Sequence, residues 1–362
     1  MAIEAQRYVT NGKSLISSPE DELIVEVPEE DLMEGGVEFQ VGENGDLSPM
    51  SDNVSIEDEE HTSNLAESLE KNALSEISSE LLDAFEEDKT SREEWLNTFT
   101  KGLDLLGIKS ESRDMPFPGA SGVTHPLLAE AATQFQAQAY KELLPSNGPV
   151  NTQILGAESS EILAQAKRVK EFMNYQITEV MEEYDPDMDS LLFYLPLAGS
   201  AFKKVYFDAL LGRATSAFVK AEDLVVSYDT TNLETSQRIS HTINMTGNDI
   251  RKMQLNGIYR DIPLDSPSLT ERNAAEEKMD ELQGLSKPTS DYTEYTLVEM
   301  HVNLELDDID EYEYAVPYIV TVLEDSGEIL SIRRNWNMGD ELFRKKEYFV
   351  HYKFLPGLGF YG

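Results

Sequence analysis

The chain has 362 residues, with 69 Asp and Glu against 29 Lys and Arg, giving a formal net charge of −40. So acidic a surface repels nucleic acid and anionic membrane on average, which excludes a conventional basic-faced DNA binder. The absence of cysteine excludes disulfides, thiolate zinc sites and thiol nucleophiles.

By the usual domain size of roughly 150 residues, the length allows two or three compact units, or one large unit with a tail. The first residues, Met1 to Leu15, lack the apolar core of a signal peptide, and no stretch approaches the ~20 apolar residues of a membrane span. A protein made in the cytoplasm is expected. Residues 1–88 carry clustered acids, as in Pro28-Glu-Glu-Asp31 and Glu57-Asp-Glu-Glu60, with few aromatics. Such a segment buries too little apolar surface to offset its ordering entropy, so a largely disordered acidic arm is predicted over 1–88 and a folded domain over 89–362.

The first helix is predicted from Ser91, where Ser91-Arg-Glu-Glu94 has the form of a capping box, with Trp95, Phe99, Leu103 and Leu106 on one face and Gly107 as its C-cap. After the Pro/Gly-rich stretch Met115 to Pro126, a second helix is expected over Leu127–Leu144. Its buried stripe would be Leu128, Ala131, Phe135, Ala139 and Leu143, and Pro145-Ser-Asn-Gly-Pro149 would stop it. A short strand, Val150–Leu155, then precedes a long helix from Glu158 to Tyr184, ended by Asp185-Pro186, with Ile162, Ala166, Val169, Met173, Ile177 and Val180 as core.

From Gly199 the period changes to two. Phe202, Lys204 and Tyr206 alternate with Ala201, Lys203, Val205 and Phe207, which predicts a strand with one wet face that returns at Gly212 into Ala214–Val219. Strands are expected at Leu224–Tyr228 and Arg238–Met245, then a short helix capped by Thr246 to Asp249 and ended by Gly257. A surface helix follows over Leu269–Leu282. An antiparallel meander is predicted from Tyr295–Leu306, Val316–Leu323, Ile329–Trp336 and Tyr348–Phe354, with Asp325-Ser-Gly327 as a turn. The class is therefore α+β.

No motif carries a catalytic, cofactor or metal assignment. Asp185, Asp187 and Asp189 open like a calcium loop, but Ser190 stands where the turn needs Gly and Pro196 where a bidentate Glu is needed. A helix start favoured by negative charge is the simpler reading. Gly357-Leu-Gly-Phe-Tyr-Gly362 matches GxGxxG after an apolar strand, but it lacks a βαβ context and reads as a tight turn; a nucleotide-binding enzyme with its site beginning at Gly357 is the alternative. His61, His125, His241, His301 and His351 show no metal-ligand spacing, although Glu299 and His301 can share one face of a strand. Ser200 lacks the GxSxG frame of a nucleophile elbow. Arg333-Arg334 and Arg344-Lys345-Lys346 are the basic clusters, better suited to an acidic neighbouring copy than to DNA phosphates. No GxxxxGK[ST] loop is present.

Several ungapped runs carry a resemblance. Leu195-Pro-Leu-Ala-Gly-Ser-Ala-Phe-Lys-Lys-Val-Tyr-Phe-Asp208, Asn174-Tyr-Gln-Ile-Thr178, Val226-Ser-Tyr-Asp229 and Gln254-Leu-Asn-Gly-Ile-Tyr-Arg260 resemble the portal proteins of tailed double-stranded DNA phages, as do Pro116-Phe-Pro-Gly119 and Tyr348 to Gly362. The likeness covers about Trp95 to Gly362. It implies a non-enzymatic structural subunit of a ring, commonly a dodecamer, at the capsid portal vertex of the virion. Through that ring a separate terminase drives DNA in, and DNA later leaves through the tail. The implied partners are other copies, terminase, major capsid and scaffolding proteins, head-completion and tail adaptor proteins, and DNA passing without sequence recognition; no membrane is implied. In the family the Pro-Gly-Leu-Gly-Phe-Tyr-Gly-like run comes before the stem helix. On that resemblance residues 89–362 would be a wing-like domain of mixed helix and antiparallel sheet, with stem, clip and crown beyond residue 362. The alternative structural reading is another virion or scaffold-like protein that uses its acidic arm for docking.

Overall fold

The computed structural model describes residues 39–41, 47–49, 61–106, 117, 125–156, 159–208, 211–265, 274–285, 294–306, 312, 314–356 and 359–361. Among these the fold is α+β: seven α-helices and antiparallel sheets of two, three and five strands. The two-stranded ladder pairs β1 (Phe39–Val41) with β2 (Leu47–Pro49). Otherwise the expectation of disorder over residues 1–60 lies outside the described residues, as does the Gly107 cap.

The predicted arm ends earlier than expected. Residues 61–88 are packed: Asn64 caps a 3-10 turn (Leu65–Glu67), and α1 (Lys71–Ser91) buries Leu74, Ser78, Leu81, Phe85 and Asp88 at helical spacing. Glu76, Glu80, Asp83, Glu86 and Glu87 all fall on the exposed side, so the average acidity of the segment concealed an amphipathic helix. Ser91 is the last residue of α1 rather than a cap: its Oγ donates to the Asp88 carbonyl (2.6 Å), and the capping box does not form. The next helix, α2 (Glu93–Asp104), buries Phe99 and Leu103 as expected, and Trp95 Nε1 donates to the Ala198 carbonyl (3.1 Å).

Between the two helices, the Arg92 guanidinium donates to the carbonyls of Ala221 (2.6 Å), Glu222 and Leu224 (3.0 Å). It lies over the rings of Trp95 and Tyr361.

α3 (Leu127–Leu143) packs Leu128, Phe135 and Ala139 of its predicted stripe against the core. Ala132 is its buried residue, whereas Ala131 and Leu143 are exposed. The expected strand over 150–155 is extended chain held by side chains of α4 (Ser160–Tyr175): Asn174 Oδ1 accepts from Val150 N–H (2.9 Å), and its Nδ2 donates to the Val150 carbonyl (3.1 Å). The long helix predicted to Tyr184 breaks. A π-helical segment (Gln176–Val180) follows α4, and a new helix, α5 (Tyr184–Ala198), begins with Pro186 in its first turn, where a missing N–H costs no intrahelical bond. α4 buries no residue at all, so its apolar stripe, predicted as core, is only half covered.

α5 is instead the central helix, burying Met188, Leu191, Leu192, Tyr194, Leu195 and Ala198. Gly199, at φ 83°, closes it in the left-handed region and passes directly into β3 (Ser200–Asp208). β3 is the middle strand of the three-stranded sheet, between β4 (Arg213–Val219) and β10 (Phe349–Lys353). Both its faces are covered over its first half, which corrects the wet face there: Lys203 is 1% exposed and Lys204 is ion-paired, while Phe207 near the end is exposed. α5 also covers the β4 edge, because Ser216 N–H donates to Glu183 Oε1 (3.1 Å) and Phe218 N–H to Asp187 Oδ2 (2.6 Å).

The five-stranded sheet runs β5 (Leu224–Val226), β6 (Arg238–Thr246), β7 (Glu294–Leu304), β8 (Val316–Leu323), β9 (Ile329–Arg334). Thr246 caps α6 (Gly247–Leu255) as predicted. The meander holds for β7 to β9, but the fourth predicted strand, β10, leaves it for β3. One face of the large sheet, with Val298, Met300, Tyr318 and Val320, packs on α1. The helix expected over 269–282 is described as α7 (Ala274–Gln283), which buries Ala275 rather than lying free on the surface.

Gly148 has φ +88°, and a Cβ there would lie 2.2 Å from Asn174 Oδ1. Gly148→Ala is expected to cost roughly 1–3 kcal/mol locally. The loss should appear as faster amide exchange at Val150, with α1 and the large sheet unchanged.

Candidate functional site

The densest polar constellation lies where the two sheets face each other. Period-two alternation sends Lys204 of β3 and Phe349 of β10, which are register partners, toward the large sheet. The same alternation sends Glu299 and His301 of β7 back toward them, with His241 of β6 opposite Glu299. Lys204 Nζ donates to Glu299 Oε1 (2.6 Å) and Oε2 (2.8 Å), and His301 Nε2 donates to Glu299 Oε1 (3.0 Å). Phe349 meets His241 and His301 edge-on at 5.6 and 5.2 Å, and Tyr348 meets His301 at 5.5 Å.

Burial alone would push the Glu299 carboxyl up. The Lys204 ammonium and the His301 hydrogen bond outweigh it and hold the group well below the usual carboxylate range. Burial takes His241 down to about 3, helped by Lys204, and lowers His301 against the pull of Glu299. The cluster is therefore an ammonium–carboxylate pair with neutral imidazoles around it. The sequence pointed to Glu299 and His301 on one face; their partner proves to be a lysine. Among the described residues no group of three or more His, Asp or Glu is placed to hold a metal.

The other candidates are scattered. Asp185 Oδ1 accepts from Tyr140 O–H (2.6 Å), Asp187 from β4, and Asp189 Oδ1 from Gln136 (2.8 Å), so the three acids of the calcium-like run serve three different neighbours in the first turns of α5. Ser200 and His351 do meet, at 2.9 Å and 151 residues apart in sequence. However, Ser200 Oγ donates its one proton to the Phe360 carbonyl (3.2 Å), leaving His351 Nε2–H as the donor to Ser200. Burial lowers His351 to about 4. That polarity is opposite to an activated nucleophile.

Around the GxGxxG match, residues 357, 358 and 362 lie outside the described residues. Gly359 accepts from Lys353 Nζ (3.3 Å), and Phe360 packs on Phe202 at 5.9 Å. β10 is antiparallel to β3, not part of a βαβ unit. His61 and His125 lie elsewhere; His61 Nε2 is 3.2 Å from the Trp336 carbonyl and His125 is 4.0 Å from Glu130.

The basic clusters are largely taken up within the chain. Arg333 donates to the Ile258 carbonyl (3.1 Å), Arg334 lies 3.5 Å from the His61 carbonyl, and Lys345 donates to the carbonyls of Leu233 (2.9 Å) and Glu234 (3.2 Å). Arg344 is exposed. Open clefts lie on the surface among the described residues. One, of about 720 Å³, is lined by Glu86, Asp88, Tyr228, Asp229 and Arg238; another, of about 660 Å³, runs along α1 past Glu76, Glu80 and Asp83.

No protein-family model and no curated protein sequence matches the chain.

Removing Lys204 leaves a buried carboxylate without its cation. Lys204→Met is therefore expected to cost roughly 3–5 kcal/mol in urea unfolding, whereas Lys204→Met combined with Glu299→Leu should recover most of that loss. His241 binds a proton in the unfolded chain near its ordinary 6.5 but in the folded chain only near 3. Its contribution is therefore complete above pH 6.5 and declines as pH falls below it. His241→Leu should flatten that acid limb in a pH series of unfolding curves.

Proposed function

We propose that the chain is the wing portion of a phage portal subunit, a structural protein that works as one copy in a ring, commonly of twelve, at the portal vertex of the virion. DNA enters through that ring under the force of a separate terminase and leaves through it toward the tail. Capsid, scaffolding and head-completion or tail adaptor proteins would meet the ring from outside.

The observation that carries this reading is how the resembling runs sit relative to one another. Leu195–Asp208 forms the end of α5 and β3, and the run from Tyr348 onward supplies β10, paired with β3 from Phe349↔Lys204 to Lys353↔Ser200. Phe354 N–H donates to the Gly199 carbonyl (2.8 Å), and Tyr361 O–H donates to the Leu224 carbonyl (3.1 Å), just before the Val226–Asp229 run. Stretches far apart in the chain that resemble the same family also build one packed unit, as a shared fold would require. The charge fits the role too. Each phosphate neutralised by Lys or Arg adds a salt-dependent attraction that would slow sliding DNA, and a chain of net charge −40 has few such sites to offer.

The test is the product of the complete reading frame in the source DNA. Expressed and purified, it is expected to assemble into closed rings visible by negative-stain microscopy, with a native mass corresponding to about a dozen copies. A stop codon directly after codon 362, together with a monomeric product, would overturn the proposal.

A further inference from the structure

The turn between β4 and β5 contains a feature that the cluster at the sheet interface does not explain. Arg92 draws the carbonyls of Ala221, Glu222 and Leu224 toward the α1–α2 junction. The turn is thereby pulled inward, and the Glu222 side chain ends 4% exposed with neither carboxyl oxygen hydrogen-bonded. A buried carboxyl without a donor strongly disfavours its charged form.

Several groups face it from the surrounding elements. Lys220 and Asp223 flank it in the turn. The Arg92 guanidinium is already engaged by backbone carbonyls, and Tyr194 of α5 uses its oxygen to accept from Ala221 N–H (3.1 Å). Glu276 faces both Glu222 and Asp223 from α7. α7 is held on the body by Ala275, Met279 and Leu282, packed into the same core as Ala221, and by Lys278 Nζ donating to Asp104 Oδ1 of α2 (2.6 Å). The enclosed Glu222 thus has Asp223 beside it in the turn and Glu276 on α7 near enough to raise the cost of its charge.

We propose that Glu222 is a proton-operated latch for α7: the neutral carboxyl lets the helix seat against the 220–223 turn, and the ionised carboxyl, facing Asp223 and Glu276, loosens it. Burial pushes Glu222 up to about 7 and Asp223 up to about 6. Both folded values lie above the ordinary carboxylate range, so the seated state holds protons that the released state gives up. The latch is fully engaged below the ordinary value near 4.5 and weakens as pH rises, until the folded value is passed near 7. His241 works in the opposite direction on global stability, so the readout has to be local. The proposal does not depend on ring assembly.

The experiment is hydrogen–deuterium exchange on the full chain from pH 5 to 8.5, corrected for intrinsic exchange. Protection of peptides covering 274–283 is expected to fall by roughly tenfold per pH unit between pH 6 and 7, more steeply below pH 6 where Asp223 adds its own proton, and then level off, while α1 and β7 do not follow. Glu222→Gln, which keeps the shape and removes the charge, should abolish the fall between pH 6 and 7, leaving only the response of Asp223 below it. Glu276→Gln removes a repelling neighbour and should shift the levelling-off to lower pH. α7 protection that ignores pH, or a Glu222→Gln profile identical to the parent, overturns the latch. If Glu222→Gln does not fold, an unchanged levelling-off point in Glu276→Gln overturns it equally.

Discussion

The Arg92 guanidinium is the contact on which most of the architecture depends. A single planar group collects carbonyls from the turn between β4 and β5, lies against Trp95 of α2 and Tyr361 near the C-terminal end, and sits at the bend between α1 and α2. α1 covers the large sheet, α2 packs on the core around α5, and the turn joins the small sheet to the large one. Arg92 therefore fixes the geometry among all these parts. The five donors of arginine in a rigid fork suit this use, and a lysine, with a point charge on a flexible stem, could not hold three carbonyls and stack on two rings at once. The same pull on the turn is what encloses Glu222.

The pairing of β10 with β3 gives the second constraint. It is a long-range pairing, and it turns β3 from an edge into a central strand. Once β3 is central, its lysines cannot reach water by the shortest route. Lys203 lies over the Tyr184 ring at 4.1 Å, and Lys204 takes Glu299 of the opposing sheet. The sheet interface is consequently polar at its centre and aromatic around it, with Tyr348, Phe349 and the two imidazoles packed about a largely buried pair. A low local dielectric strengthens such a pair and equally penalises its loss, so the two sheets are held in one relative register.

Much of this order was legible in the sequence. The alternation in Ser200–Asp208, the Thr246 cap, the Phe99/Leu103 stripe and the strands of the meander are local patterns, and the structure has them where the residues put them. Less legible were a helix face hidden by average acidity, the place of a proline within a helix, and whatever depends on partners distant in the chain. Residues 61–88 are acidic on average, and only the helical spacing of Leu74, Leu81 and Phe85 separates their buried face from the acids. Pro186 looked like a stop because a proline disfavours the helical region for the residue before it, yet Asp185 is helical and the proline falls in a first turn. The stripe of α4 looked buried because periodicity shows which face is apolar, not whether another element covers it. Glu299 and His301 could be put on one face from their spacing, but Lys204 lies on another strand in another sheet, and no spacing rule connects them. Arg92 and Glu222 left no signal, since one binds backbone and the other binds nothing.

The placement of the cations bears on function more than any single cleft does. Arg92, Lys203, Lys204, Arg213, Arg238, Arg260, Arg333 and Lys345 are all engaged by carbonyls, carboxylates or rings within the fold. These contacts do not cancel the charges, but they hold the side chains within the fold, away from what an approaching macromolecule first meets. The Asp and Glu residues outnumber them and occupy the outer faces of helices such as α1. Of the basic residues that stand out in the sequence near 333 and 345, Arg333 and Lys345 are thus held within the fold, while Arg344 remains exposed. On average a polyanion approaching a chain of this charge meets repulsion, whatever the local cations offer.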